Sequence, residues 1–270
     1  MTDPSDISDL ETLTCEITPD GVAVVTLDRP PVNAVNRAMM LELAQVFDSL
    51  GDRRDVGAVV LTGAGKKAFC AGIDLAEVGA GPDLADAPIR ATLDAGWEWR
   101  TAQQAVHHCS VPVIAAVEGV AIGAGFGLVG VCDIIIASES ARFALTEINV
   151  GLLGGSSKAI RMLGPYKARM MLFGGEFVPA EEFHRLGAVE QVVPEGTARD
   201  RAVEIGALFA SKSPLALRLA KESILRIEGD QMAHQYRTEQ DYTARMRTFE
   251  DSREAMRAFV EKREPVWSWK

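Results

Sequence analysis

Two short segments of this chain carry residue types that aim backbone amides at a developing negative charge. In Gly123-Ala124-Gly125 two residues lack Cβ, so a carbonyl group can approach the chain closely. Where Gly125 begins a helix, free N–H groups and the positive helix end point at that place. Such a site suits the oxyanion formed from a thioester carbonyl. The stretch Ala68-Phe69-Cys70-Ala71-Gly72-Ile73-Asp74-Leu75 places a second small-residue turn after an apolar run. Two such turns on neighbouring parallel strands supply two convergent N–H donors. With a carboxylate beside them, they can stabilise an enolate and move protons. A tight strand-to-helix turn with close packing would use the same glycines.

Two other glycine motifs invite different chemistry. Gly63-Ala64-Gly65-Lys66-Lys67 resembles a phosphate loop. However, Val60 stands at the place of its first glycine and Lys67 at the place of its hydroxyl, so an exposed turn is expected. Gly125-Phe126-Gly127-Leu128-Val129-Gly130 is a formal G-x-G-x-x-G, with Glu147 lying 17 residues beyond it. A dinucleotide fold needs a full crossover helix after these glycines. Here the next apolar strand starts three residues later.

The surrounding elements must position these segments. The chain has 270 residues, 47 % of them apolar, with 28 Lys+Arg against 38 Asp+Glu and a net charge of −10. That is ordinary globular composition, enough for one large domain or two small ones. The acidic balance argues against nucleic acid, which needs a basic face. Residues 1–200 hold 15 basic and 27 acidic side chains, net −12, whereas residues 201–270 hold 13 and 11, net +2. No apolar run reaches the roughly 18 residues of a membrane span. Neither end of the sequence resembles a targeting segment, so a cytoplasmic protein is expected. Cys15, Cys70, Cys109 and Cys132 show no metal-binding spacing, so reduced thiols and no metal are expected.

Residues 12–18 and 21–27 read as strands around Pro19-Asp20. Asn36 can cap a helix whose apolar stripe is Met39, Met40, Leu43, Val46, Phe47 and Leu50. Residues 56–62, 111–117 and 133–137 read as buried strands, and residues 90–109 as a helix carrying Leu93 and Trp97. Alternating strands and helices predict parallel pairing. Residues 76–90 read as a loop, mobile or functional. From residue 156 onward the pattern is helical, with candidates at 165–173, 180–186, 199–212, 214–227, 231–249 and 252–262. The expected division is an α/β core over 1–195 and a helical region over 196–270.

Taken together, several motifs resemble the crotonase superfamily, the enoyl-CoA hydratase/isomerase family. They are Leu27-Asp28-Arg29-Pro30, residues 68–75 and 112–119, Gly123-Ala124-Gly125, Cys132-Asp133-Ile134, residues 146–152 and residues 258–263. The resemblance implies an α/β spiral of ββα units with C-terminal helices that build a homotrimer or hexamer. It implies an acyl-CoA thioester as substrate, coenzyme A being part of that substrate rather than a separate cofactor. By matched position, the N–H groups of Ile73 and Ala124 would form the oxyanion hole. Pro31, Val32, Ala71 and Gly72 would border adenine and pantetheine, and Lys262 would reach a CoA phosphate of a neighbouring subunit.

The chain departs from the family at one carboxylate. Typical hydratases carry two glutamates; Gly127 stands in place of the first, and Glu147 matches the second. Hydration needs water deprotonated on one side and a proton delivered to the α-carbon. Moving a double bond needs one proton removed and returned nearby, which one buried carboxylate can do. Gly127 also frees volume for the acyl group, and Trp97 or Trp99 could wall that pocket. Glu118 is expected to be structural or exposed. Hydratase and isomerase both stay open, beside a non-catalytic acyl-CoA binder and a dinucleotide-binding dehydrogenase.

Overall fold

A computed structural model describes residues 10–74, 94, 96–229 and 232–270. The expected loop at 76–90 lies outside the described residues, as do Leu75 and Leu93. A six-stranded sheet runs in the order β1-β2-β3-β5-β7-β10. Its strands are β1 Leu13–Ile17, β2 Val22–Leu27, β3 Ala58–Gly63, β5 Val113–Val117, β7 Ile134–Ser138 and β10 Gln191–Val193. β1 and β2 form an antiparallel hairpin, and every later pair in this sheet is parallel. The valine-rich and isoleucine-rich runs are buried on both faces, as parallel strands covered by helices must be.

β3, β5 and β7 each run into a short strand of a second sheet, ordered β4-β6-β8-β9. These are β4 Ala68–Cys70, β6 Val120–Ile122, β8 Arg142–Ala144 and β9 Val178–Pro179. The sequence reading missed them, because three residues carry no period. The glycine turns therefore follow β4 and β6, not the long strands directly.

Helix α1 (Arg37–Asp52) starts as expected: Asn36 Oδ1 accepts from the Met39 N–H at 3.0 Å. Its stripe of Met39, Leu43, Val46, Phe47 and Leu50 is buried, while Met40 is partly so. Helix α2 (Trp97–His108) packs on α1, and α3 (Ala124–Val129) follows β6. Helix α4 (Ser156–Gly174) begins nine residues earlier than expected and breaks at Gly164 (φ 70°), just before Pro165. Proline has no N–H to continue the ladder, so a fresh turn starts there.

Helices α5 (Ala180–Arg185), α6 (Ala198–Ala210), α7 (Pro214–Glu228), α8 (Met232–Met246) and α9 (Glu250–Glu261) complete the described chain. The helical region from 196 onward is bound to the sheet. Ala198 and Ala202 of α6 share a buried cluster with Val22, Val24, Val60, Ile114, Ala116 and Ile136. In α7, buried Lys221 donates to the Val111 carbonyl at 2.9 Å and to Asp133 Oδ2 at 2.8 Å. Among the described residues, no helix is long and apolar enough to cross a membrane.

Candidate active site

β4 and β6 are adjacent and parallel, and each ends in a glycine turn. After β6, Gly123 takes φ 53°, and its N–H bonds the Ala144 carbonyl at 3.0 Å. Ala124 then opens α3, so its own N–H has no partner within that helix. The helix is six residues long, so this individual donor matters more than any summed dipole. After β4, the bridge to Val35 uses the Gly72 carbonyl (2.8 Å) and the Asp74 N–H (2.9 Å). In such a ladder the Ile73 N–H points to the opposite side. The two turns touch, for a Cβ on Gly125 would stand 2.2 Å from the Cys70 carbonyl oxygen. The turns that carry the Ile73 and Ala124 amides are thus neighbours.

Glu147 opens a 3-10 turn, Glu147–Val150, after β8. Its Oε1 lies 3.1 Å from the Cβ position of Gly123 and 3.1 Å from that of Gly154. Two glycines therefore make the slot that admits the carboxylate beside Ala124. Oε2 is buried and has no hydrogen-bond partner among the described residues. Burial raises the Glu147 pKa to about 7, and the Glu239 carboxylate adds to that rise. The turn is braced from behind: Ser252 Oγ of α9 donates to the Gly151 carbonyl at 2.7 Å.

Gly127 is buried on α3, and the atoms nearest its absent Cβ belong to Gln103 (3.7 Å) and Trp99 (3.8 Å). Trp99, 6 % exposed, is thus the tryptophan against Gly127, while Trp97 stands at the first residue of the same helix. Among the described residues, none of the three atoms nearest the Gly127 Cβ position belongs to a carboxylate.

The two segments expected to border the coenzyme lie side by side. The Ala71 N–H bonds the Val32 carbonyl at 3.0 Å, which joins Pro31-Val32 to Ala71-Gly72. Buried Asn33, at φ 53°, ties this border to the Ala64 and Ala68 carbonyls at 3.0 Å each. Arg29 adds a cation beside it, paired with Asp74 at 2.7 Å. Lys262 is exposed at the end of α9.

Other candidates resolve as structure. Glu118 Oε1 accepts from the Gly196 and Ala198 N–H groups (3.1 and 3.0 Å), which caps α6. The G-x-G-x-x-G stretch coincides with α3, and no crossover helix separates it from β7, so the dinucleotide reading fails. The four cysteines are free, and burial pushes the Cys15 and Cys70 thiols up to about 11 and 12, which suits poorly a nucleophile. Sequence reasoning missed Gln103, Lys158, Glu239 and Ser252. Each lies far along the chain from the motifs and carries no local signal.

The profile of the enoyl-CoA hydratase/isomerase family matches residues 18–270. A (7aS)-7a-methyl-1,5-dioxo-2,3,5,6,7,7a-hexahydro-1H-indene-carboxyl-CoA hydrolase of Rhodococcus jostii is 36 % identical over 224 residues, 83 % of this chain and 84 % of that one. The 2,3-dehydroadipyl-CoA hydratase of Escherichia coli is 34 % identical over 208 residues, 75 % of this chain and 78 % of that one. The crystal structure of a carnitinyl-CoA hydratase from Mycobacterium avium superposes with a TM-score of 0.83 at 32 % identity, covering 96 % of this chain and 99 % of that one. With motifs, fold and relatives in agreement, this chain belongs to the enoyl-CoA hydratase/isomerase family of the crotonase superfamily and is an acyl-CoA-processing enzyme.

Proposed function

We propose that the enzyme moves a proton along an acyl-CoA thioester with a single carboxylate and so shifts a double bond. The thioester oxygen takes the N–H groups of Ile73 and Ala124 as it becomes an enolate. Glu147 removes the proton from the carbon next to the thioester and returns it farther along the acyl chain. Each oxyanion donor is worth about two to three orders of magnitude in rate. The supporting observation is the Glu147 carboxyl, slotted between Gly123 and Gly154 beside Ala124 and buried enough to titrate near neutrality. Pro31, Val32, Ala71 and Gly72 border the coenzyme portion of the substrate, and no separate cofactor takes part. Lys262 of a neighbouring copy reaches a CoA phosphate in a homotrimer or hexamer.

A second reading rests on Gly127. Among the described residues, the side-chain atom nearest its Cβ position is 3.7 Å away, an ordinary contact, so the family's first carboxylate side chain is replaced by the space of a small group. Hydration, or hydrolysis of the kind in the Rhodococcus relative's name, would use that space. A panel of 2-enoyl- and 3-enoyl-CoA thioesters with product mass measurement separates these readings. Unchanged mass with a shifted double bond is expected; a gain of one water would favour hydration instead. Glu147→Gln should cut turnover by about two to four orders of magnitude. Turnover unchanged in that variant would sink the mechanism, and calorimetric binding without any product would identify a non-catalytic binder.

A further inference from the structure

On the far side of Gly127 and Gly130 stand buried polar groups that proton transfer does not use. Ala124, Gly127 and Gly130 follow at three-residue spacing along α3 and its end. A Cβ on Gly127 would meet Gln103, and one on Gly130 would meet the Lys158 stem at 2.7 Å. Lys158 is 1 % exposed, yet its Nζ has no hydrogen-bond partner among the described residues. Gln103 is 4 % exposed, and its Oε1 is likewise unpartnered. Lys158 Nζ lies 3.5 Å from the centre of the Tyr236 ring, and Gln103 stands with both in the wall of one cavity. These three, with Arg100, Gln104 and His107, line a cavity of about 10 Å³. That is room for one water or one substrate oxygen.

The nearby charges are already engaged. Both Glu239 oxygens take N–H groups at the start of α4, from Ser156 (3.1 Å) and Ser157 (2.6 Å). Arg100 is held by Asp94 and Gln240. Burial pushes the His107 imidazole down to about 4, which leaves it neutral. A cation kept out of water without an acceptor is costly, and the ring face of Tyr236 compensates only in part. Burial first, then Glu239 and Glu147, push the Tyr236 phenol up, so the cluster stands within the field of the proton-transferring carboxylate.

We propose that Lys158 and Gln103 with Tyr236 form a second substrate subsite, one that takes an acceptor oxygen, oxo or carboxylate, carried by the acyl group beyond the reacting carbons. The inference rests on the acyl-CoA reading of the site and names the substrate class within it. An acyl chain that passes over Gly127 delivers its oxygen to the unpartnered ammonium. A plain hydrocarbon chain leaves that ammonium facing only water.

The test uses three enoyl-CoA thioesters of equal length that end in a methyl, a ketone or a carboxylate. Calorimetry measures their binding, and kcat/KM their turnover. At least one oxygenated thioester should be preferred over the methyl-terminated one by about ten- to a hundredfold, the size of one hydrogen bond to a charged donor. The two oxygenated arms tell a neutral acceptor from an anionic one. In Lys158→Met that ratio should fall to within about twofold. Equal binding of all three by the wild-type enzyme overturns the subsite, as does a ratio that persists in Lys158→Met. If that variant fails to fold, the wild-type ratio and its decrease in Gln103→Leu decide. Oxygen-selective binding without turnover would retain the subsite and remove the catalytic reading, so the two fail separately.

Discussion

The Glu147 carboxyl is held where a surface carboxyl would not be: burial raises its pKa from 4.5 to about 7. A general base must be deprotonated, so kcat/KM should rise with pH along an acidic limb centred near 7. A limb near 4.5 would show that water reaches the carboxylate freely. The same shift costs stability. The folded state holds this proton more tightly than the unfolded chain, so the contribution is lost as pH rises from about 4.5 through about 7. Glu147→Gln should therefore be the more stable protein at pH 8, by at most about 3 kcal/mol and less in proportion to the solvent that reaches the group. By pH 5 the difference should shrink toward zero. Urea unfolding of both proteins at the two pH values checks this; a variant less stable at pH 8 would mean that the carboxylate has an attractive partner.

The proposed oxyanion hole depends on how closely α3 packs onto β4, and the two glycines of α3 test this in opposite senses. A Cβ at position 125 would stand 2.2 Å from the Cys70 oxygen, which is backbone and cannot swing aside. Gly125→Ala must push the helix start away from the turn after β4, and so separate the Ala124 and Ile73 donors. Turnover should fall by about two to three orders of magnitude, as for loss of one donor. At position 127 the nearest atom is 3.7 Å away, an ordinary contact. Gly127→Ala should fold and gain up to about 1 kcal/mol from helix propensity. Thermal melts and kinetics on one substrate separate the two; an active Gly125→Ala enzyme would refute this geometry. The elements themselves were unequally legible. The stripe and cap of α1 and the long buried strands announce themselves by period and composition. β4, β6 and β8 exist only because a neighbouring strand pairs with them. Glu147 and the two amide turns could be read from local motifs. Lys158 could not, since nothing in the sequence tells a buried lysine from a solvated one, and only the glycine at 127 hinted at space on that side.

At the scale of the molecule the question is how a chain of net charge −10 holds a coenzyme bearing phosphates. The proposed border at Pro31, Val32, Ala71 and Gly72 offers backbone, and Arg29 is already paired with Asp74. The net-positive residues 201–270 are one source of cations, and Lys262 is presented in the open at the end of α9. The same region exposes Leu215, Leu219 and Ile227 along α7, large apolar side chains that a second copy would cover. For the proposed homotrimer or hexamer, light scattering should return three or six times the 29.1 kDa of one chain. In that assembly Lys262→Ala should raise KM for an acyl-CoA several-fold, more at low salt than at high, because one screened ion pair is lost. The matching acyl-pantetheine thioester carries no phosphate, and its KM should not change. An equal loss on both thioesters would mean that Lys262 supports the fold of α9 rather than the coenzyme. A single-chain mass in solution would remove the neighbour on which this contact depends.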